Sequence, residues 1–121
     1  MTTPTTTMAT EMLSLHNRVA VITGGTQGLG EHVARLFAAR GASGIVLVGR
    51  NAARGNAVAA ALTGAGCRAL FVKADLAKLE EVRSIIPAAE KAFGRVDCLV
   101  NAGASTDRGT ITDTAPEMYD Y

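Results

Sequence analysis

Apolar residues fall along this chain in short runs that alternate between two rhythms. Val19-Ala20-Val21-Ile22 is continuous and mostly β-branched, which predicts a buried strand over 18–23. Leu29, Val33, Leu36 and Phe37 then recur at helical spacing and predict a helix over 28–40, stopped by Gly41. Gly44-Ile45-Val46-Leu47-Val48 predicts the second strand. Asn51 opens an alanine-rich helix that ends near Gly64-Ala65-Gly66, and residues 68–73 predict the third strand. A further helix begins near Ala77, with Leu79, Val82, Ile85 or Ile86, Ala89 and Phe93 on one face. Pro87 interrupts it. The proline ring and missing N–H predict a bend or break there, because a straight helix would lose about 3 kcal/mol. Val96-Asp97-Cys98-Leu99-Val100 predicts the fourth strand, and a polar loop runs on to about Asp113.

Strands alternating with helices through short connections predict right-handed β-α-β units in the α/β class. The expected architecture is a doubly wound parallel sheet, order 3-2-1-4, with helices on both faces. In such a sheet the ligand crevice lies outside the carboxyl ends of the first and fourth strands. Those ends are Thr23-Gly24 and Asn101-Ala102-Gly103.

The first of them opens the most informative stretch, Thr23-Gly24-Gly25-Thr26-Gln27-Gly28-Leu29-Gly30. Glycine-rich turns also close loops that bind nothing, but here a strand precedes the glycines and a helix follows. Gly24 allows a tight turn, and Gly28 lets backbone approach a pyrophosphate without a Cβ in the way. Gly30 lets the helix pack closely, while the helix N-terminus offers free N–H groups to the anion. The spacing is G-x-x-x-G-x-G, and no Gly-Lys-Ser/Thr follows, which argues against a nucleoside triphosphate P-loop.

Thr-Gly-x-x-x-Gly-x-Gly between the first strand and helix resembles the cofactor loop of the short-chain dehydrogenase/reductases, and the likeness runs from about Asn17 to the end. The resemblance implies a Rossmann-type sheet and an NAD(P)-dependent oxidoreductase, with hydride transfer between the dinucleotide and a small-molecule carbonyl or alcohol. It assigns Thr23, Gly24, Thr26, Gln27, Gly28, Leu29 and Gly30 to the cofactor. Asp75-Leu76, after the third strand, matches the family's Asp that hydrogen-bonds the adenine amino group. The same carboxylate could instead simply order the turn by accepting backbone N–H bonds. After the fourth strand the family usually has Asn-Asn-Ala-Gly or Asn-Ala-Ala-Gly, where this chain reads Asn101-Ala102-Gly103-Ala104. Asn101 is then expected to stabilise the sheet and flank the cofactor, with Ala102 and Gly103 beside it.

The residue about 20 positions past the glycine loop selects the dinucleotide: a carboxylate holds the ribose 2′-OH, an arginine accommodates a 2′-phosphate. Here the second strand ends in Val48-Gly49-Arg50, with no Asp or Glu to repel a phosphate. Arg50 can fork onto one, and Arg54, one turn on, could assist. Arg50 could also be merely a solvated residue after a strand. Gln27, where many NADP-preferring relatives carry a basic residue, is neutral. The expected cofactor is NADP, with NAD less favoured.

At 121 residues, 48% hydrophobic and 19% charged, with net charge +1, the chain fits one globular domain with no nucleic-acid or membrane partner. Cys67 and Cys98 lie in apolar, strand-like runs and read as buried free thiols, which points to a reducing compartment such as the cytoplasm. His16 and His32 have no Cys or carboxylate at metal-ligand spacing and read as structural or exposed. Residues 1–14 form a Thr-rich stretch without apolar periodicity, expected to be disordered, ahead of a partial dinucleotide-binding domain over 15–121.

The family's chemistry uses a tyrosine acid/base, a lysine four residues later and a serine on the substrate oxygen. None of Lys73, Lys78 or Lys91 follows a tyrosine, Tyr119 and Tyr121 stand at the end, and Ser105 comes earlier than the family's serine. Thr114-Ala115-Pro116-Glu117 is a helix-start signal with only four residues after it. The expectation is an N-terminal cofactor-binding fragment, with the catalytic Ser, Tyr and Lys, and the family's oligomer interface, beyond it. The rival readings are a non-catalytic dinucleotide-binding module and a doubly wound domain for another adenine nucleotide.

Overall fold

Alternate residues of the central strands feed two separate cores, which is why the runs at 19–22 and 45–48 are apolar at every position. The computed structural model describes residues 14–103. Strands β1 (Val19–Thr23), β2 (Gly44–Gly49), β3 (Ala69–Lys73) and β4 (Cys98–Asn101) form one parallel sheet in the order β3-β2-β1-β4. On one face Ile22, Ile45 and Leu47 meet Ala34 of α1 (Gly28–Ala39) and Val58 and Leu62 of α2 (Ala52–Gly64). On the other, Val21, Val46 and Val48 meet Ile85 and Ala89 of α4 (Ile85–Phe93), with α3 (Leu79–Arg83) just before it. The doubly wound α/β arrangement is the one expected, with β1 and β2 at its centre and fully buried side chains along both.

The helices differ from the sequence reading in detail. In α1 the buried line is Gly30–Ala34, with Val33 and Phe37 packed beside it, whereas Leu29 is 73% and Leu36 53% exposed. The small residues face inward because the helix lies close against the glycine loop. The last helical region breaks at Ser84, three residues before Pro87. Ser84 Oγ donates to the Glu81 carbonyl at 2.6 Å, and α4 restarts at Ile85. Pro87 thus stands in the first turn of a new helix, where an N–H would have no intrahelical partner anyway. Of the two isoleucines, Ile85 enters the core and Ile86 is 40% exposed; Leu79, at 61%, also faces outward.

Both cysteines are free. Cys67 is buried, its thiol donates to the Ala42 carbonyl at 3.4 Å, and burial pushes its pKa up. Cys98 is only half-buried, contrary to expectation, because β4 pairs with β1 on one side alone among the described residues. His16 makes a backbone bridge to Ala42, and the exposed His32 ring lies 2.8 Å from the Gly28 carbonyl through Nδ1. The Thr-rich stretch before Ser14, the loop with Ala104 and Ser105, the helix-start signal at Thr114, and Tyr119 and Tyr121 lie outside the described residues. No helix among the described residues is long and apolar enough to cross a membrane.

Candidate functional site

The carboxyl ends of all four strands are levelled by hydrogen bonds that continue past the sheet. Gly24 N donates to Val48 O at 2.9 Å, Ala102 N to Thr23 O at 3.1 Å, and Ala74 N to Gly49 O at 3.0 Å. The four following loops therefore share one rim. Between them lies a cleft of about 400 Å³, bordered by the ends of all four strands and so including the β1/β4 switch point. Its walls include the anticipated Gly24, Thr26, Gln27, Gly28, Leu29, Arg50, Asp75, Leu76, Ala102 and Gly103. Thr23, Gly30 and Asn101, also anticipated, are not among the residues that line it. Val48, Gly49, Ala74 and Ala77 also line the cleft and were not singled out from the sequence. Their only sequence signal was position, at or just beyond the carboxyl ends of β2 and β3.

The glycine loop is shaped by two contacts that side chains would destroy. Gly24 has φ +69°, and a Cβ there would lie 2.6 Å from Gly103 N. This is the close approach of the β1 and β4 loops. A Cβ on Gly30 would overlap the Gly24 carbonyl, so α1 abuts the loop itself. Gly28 has φ +55° and open space in front of it. Gln27 occupies the N-cap position of α1 in an extended conformation, yet its side chain caps nothing. The first-turn amides of α1 thus keep free hydrogens beside the one glycine of the loop that leaves room for a ligand.

Thr23, buried, holds the two rims together from behind. Its Oγ1 lies 3.4 Å from both Val100 O and Asn101 Oδ1 and accepts from Gly103 N at 3.4 Å. Asn101 pairs with Thr23 in register as the last residue of β4, one position beyond the expected strand end at Val100. Asp75 does order its turn: Oδ1 accepts from Ala77 N at 2.9 Å, and Glu81 Oε1 accepts from Asp75 N at 3.0 Å. It also lines the cleft, so the turn and an adenine contact remain compatible.

Arg50 is exposed at the end of β2 and forms no salt bridge among the described residues. The Asn51 side chain caps α2 by accepting from Arg54 N at 3.0 Å. Arg54 Nη1 in turn donates to Gln27 Oε1, across to the glycine loop. Thr26, Gln27, Arg50, Asn51, Ala52 and Arg54 enclose a second, more open hollow of about 590 Å³ that shares its wall with the main cleft. Among the described residues it is lined by two guanidinium groups and no carboxylate.

The family model for short chain dehydrogenases matches residues 18–120. The chain belongs to that family. Its sequence is 36% identical over 108 residues to the mitochondrial (-)-isopiperitenol/(-)-carveol dehydrogenase of Mentha piperita, covering 88% of this chain and 40% of that protein. In fold it is similar to the L-sorbose reductase of Gluconobacter frateurii, solved with NADPH and L-sorbose. That match has a TM-score of 0.79 and 36% identity, and covers 89% of this chain and 41% of the reductase. A short-chain dehydrogenase/reductase from Burkholderia phymatum, solved with NAD, matches at TM-score 0.67 and 30% identity, over 71% of this chain and 30% of the other. The chain spans less than half the length of these relatives. The first of these two structures holds NADPH and the second NAD.

Proposed function

We propose that this chain is the dinucleotide-binding part of an NAD(P)-dependent oxidoreductase, with NADP preferred. In that reading NADPH gives a hydride to a carbonyl carbon, and a separate acid gives the oxygen its proton, or the reverse for an alcohol. The observation that carries it is the cleft at the switch point, where uncapped α1 amides and Gly28 face the same space as Arg50. Those residues fit a pyrophosphate on the helix end and a ribose at the end of β2. Asp75 and Leu76 are assigned to the adenine side, Ala102, Gly103 and Asn101 to the nicotinamide side. Thr23, Gly24, Thr26, Gln27, Leu29 and Gly30 shape or line the loop. Two free cysteines suit a reducing compartment such as the cytoplasm.

The named relatives act as dehydrogenases or reductases, which supports the reaction class. The alternative reading, a binding module without chemistry, shares the same nucleotide site. Calorimetric titration of the purified chain with NADP and NAD tests the proposal, with tighter NADP binding expected. Equal affinities would refute the NADP assignment, and no binding of either would refute the site. Under both readings the 121 residues alone should not oxidise NADPH with any carbonyl substrate above a buffer control.

A further inference from the structure

We infer that Gln27 is a positioning residue that holds Arg54 as a second cation, beside Arg50, for a 2′-phosphate in the outer hollow. This deepens the NADP reading and rests on it. Arg54 starts from the first turn of α2, where the Asn51 cap fixes its backbone, and reaches across to the glycine loop. An arginine side chain has only donors, so the Gln27 oxygen is the atom that faces it. A neutral acceptor pins the guanidinium without cancelling its charge, which a carboxylate in that place would do. Gln27 is available for this because it does not cap α1.

The remaining Arg54 donors border the hollow that Arg50 also lines. A phosphate monoester there meets two guanidinium forks and no opposing carboxylate. Holding Arg54 in place before binding also removes part of the rotamer entropy that a long side chain would otherwise lose on the ligand. The neutral residue in the loop therefore works with the phosphate site. Its charge is supplied by the neighbouring helix.

The test is calorimetric titration of the full chain with 2′,5′-ADP and with 5′-AMP, the second lacking the 2′-phosphate. Wild type should prefer 2′,5′-ADP. Gln27→Ala should weaken 2′,5′-ADP about fivefold more than it weakens 5′-AMP. Gln27→Glu, which keeps the contact and removes the net charge, should lose more. In an Arg54→Ala background, Gln27→Ala should change the preference no further. Equal wild-type affinities, or no binding of either nucleotide, would overturn the NADP reading and this inference together. A wild-type preference that survives Gln27→Ala and Gln27→Glu would overturn the latch alone, as would an equal loss for both nucleotides.

Discussion

Val19 and Asp97, far apart in sequence, hold each other by two hydrogen bonds. Val19 N donates to Asp97 Oδ2 at 2.8 Å, and Asp97 N donates to Val19 O at 2.9 Å. The carboxylate takes the place of a strand carbonyl just ahead of β4, where the parallel ladder with β1 begins. Arg95 Nε donates to Oδ1 at 3.1 Å, and Arg18 Nη1 lies 3.8 Å away. This is why one acidic residue interrupts an otherwise apolar run. It sets the register Ala20↔Cys98, which in turn brings Thr23 level with Asn101 at the cleft.

A pH dependence follows. The Arg95 hydrogen bond, then the Val19 N–H, hold the Asp97 carboxyl below its ordinary value of 3.8. A carboxylate whose folded pKa is depressed stabilises the fold above its unfolded pKa, and that contribution is lost as pH falls through the folded value. Urea midpoints should therefore fall below about pH 4, and more steeply in wild type than in Asp97→Asn. Parallel pH profiles for the two proteins would show that the pair contributes nothing to stability.

Two glycines of one loop should fail differently. Gly24→Ala meets both a positive φ and the Gly103 backbone, and is expected to destabilise by more than about 2 kcal/mol. Gly28→Ala meets only the positive φ, at about 1 kcal/mol. Its Cβ would project into the space assigned to the pyrophosphate, so nucleotide binding should weaken beyond what stability explains. Urea titrations paired with ADP binding separate the two effects. An unchanged ADP affinity in a folded Gly28→Ala protein would remove Gly28 from the binding loop.

On the proposed NADP preference, Arg50 is the residue assigned to the 2′-phosphate. Arg50→Ala should narrow the NADP-over-NAD preference by about 1 kcal/mol, roughly fivefold, because the contact is charge-assisted but exposed. NAD affinity should stay unchanged. Competition binding of the two dinucleotides checks it, and loss of both affinities in parallel would mark Arg50 as a residue of the fold.

The fold was legible because its main signals are periodic. Runs buried on both faces named β1 and β2, and Asn51 announced α2 by its capping chemistry. The orientation of α1 was not legible, since packing against a glycine loop favours Gly30 and Ala34 over the larger Leu29 and Leu36. The break at Ser84 was displaced from Pro87 because a proline is tolerated once it enters a new first turn. At the site, residue types at strand ends identified most of the cleft. The Gln27–Arg54 bond could not be read, because it joins a loop to a different helix and depends on how α2 docks.

The last prediction concerns β4. Its backbone is paired to β1, and among the described residues no strand lies on its other side. Leu99 there is 55% exposed, and the nearest charges, on Arg95 and Asp97, are committed to each other at its beginning. An edge with free N–H and C=O groups and an apolar side chain pairs readily with a second copy. The 121-residue chain should therefore self-associate as its concentration rises, and amides on the outer side of β4 should exchange faster than those facing β1. Leu99→Lys places a charge on that edge and should shift the chain toward monomer without lowering its urea midpoint by more than about 0.5 kcal/mol. Size-exclusion elution that is independent of concentration, with β4 amides protected on both sides, would refute this.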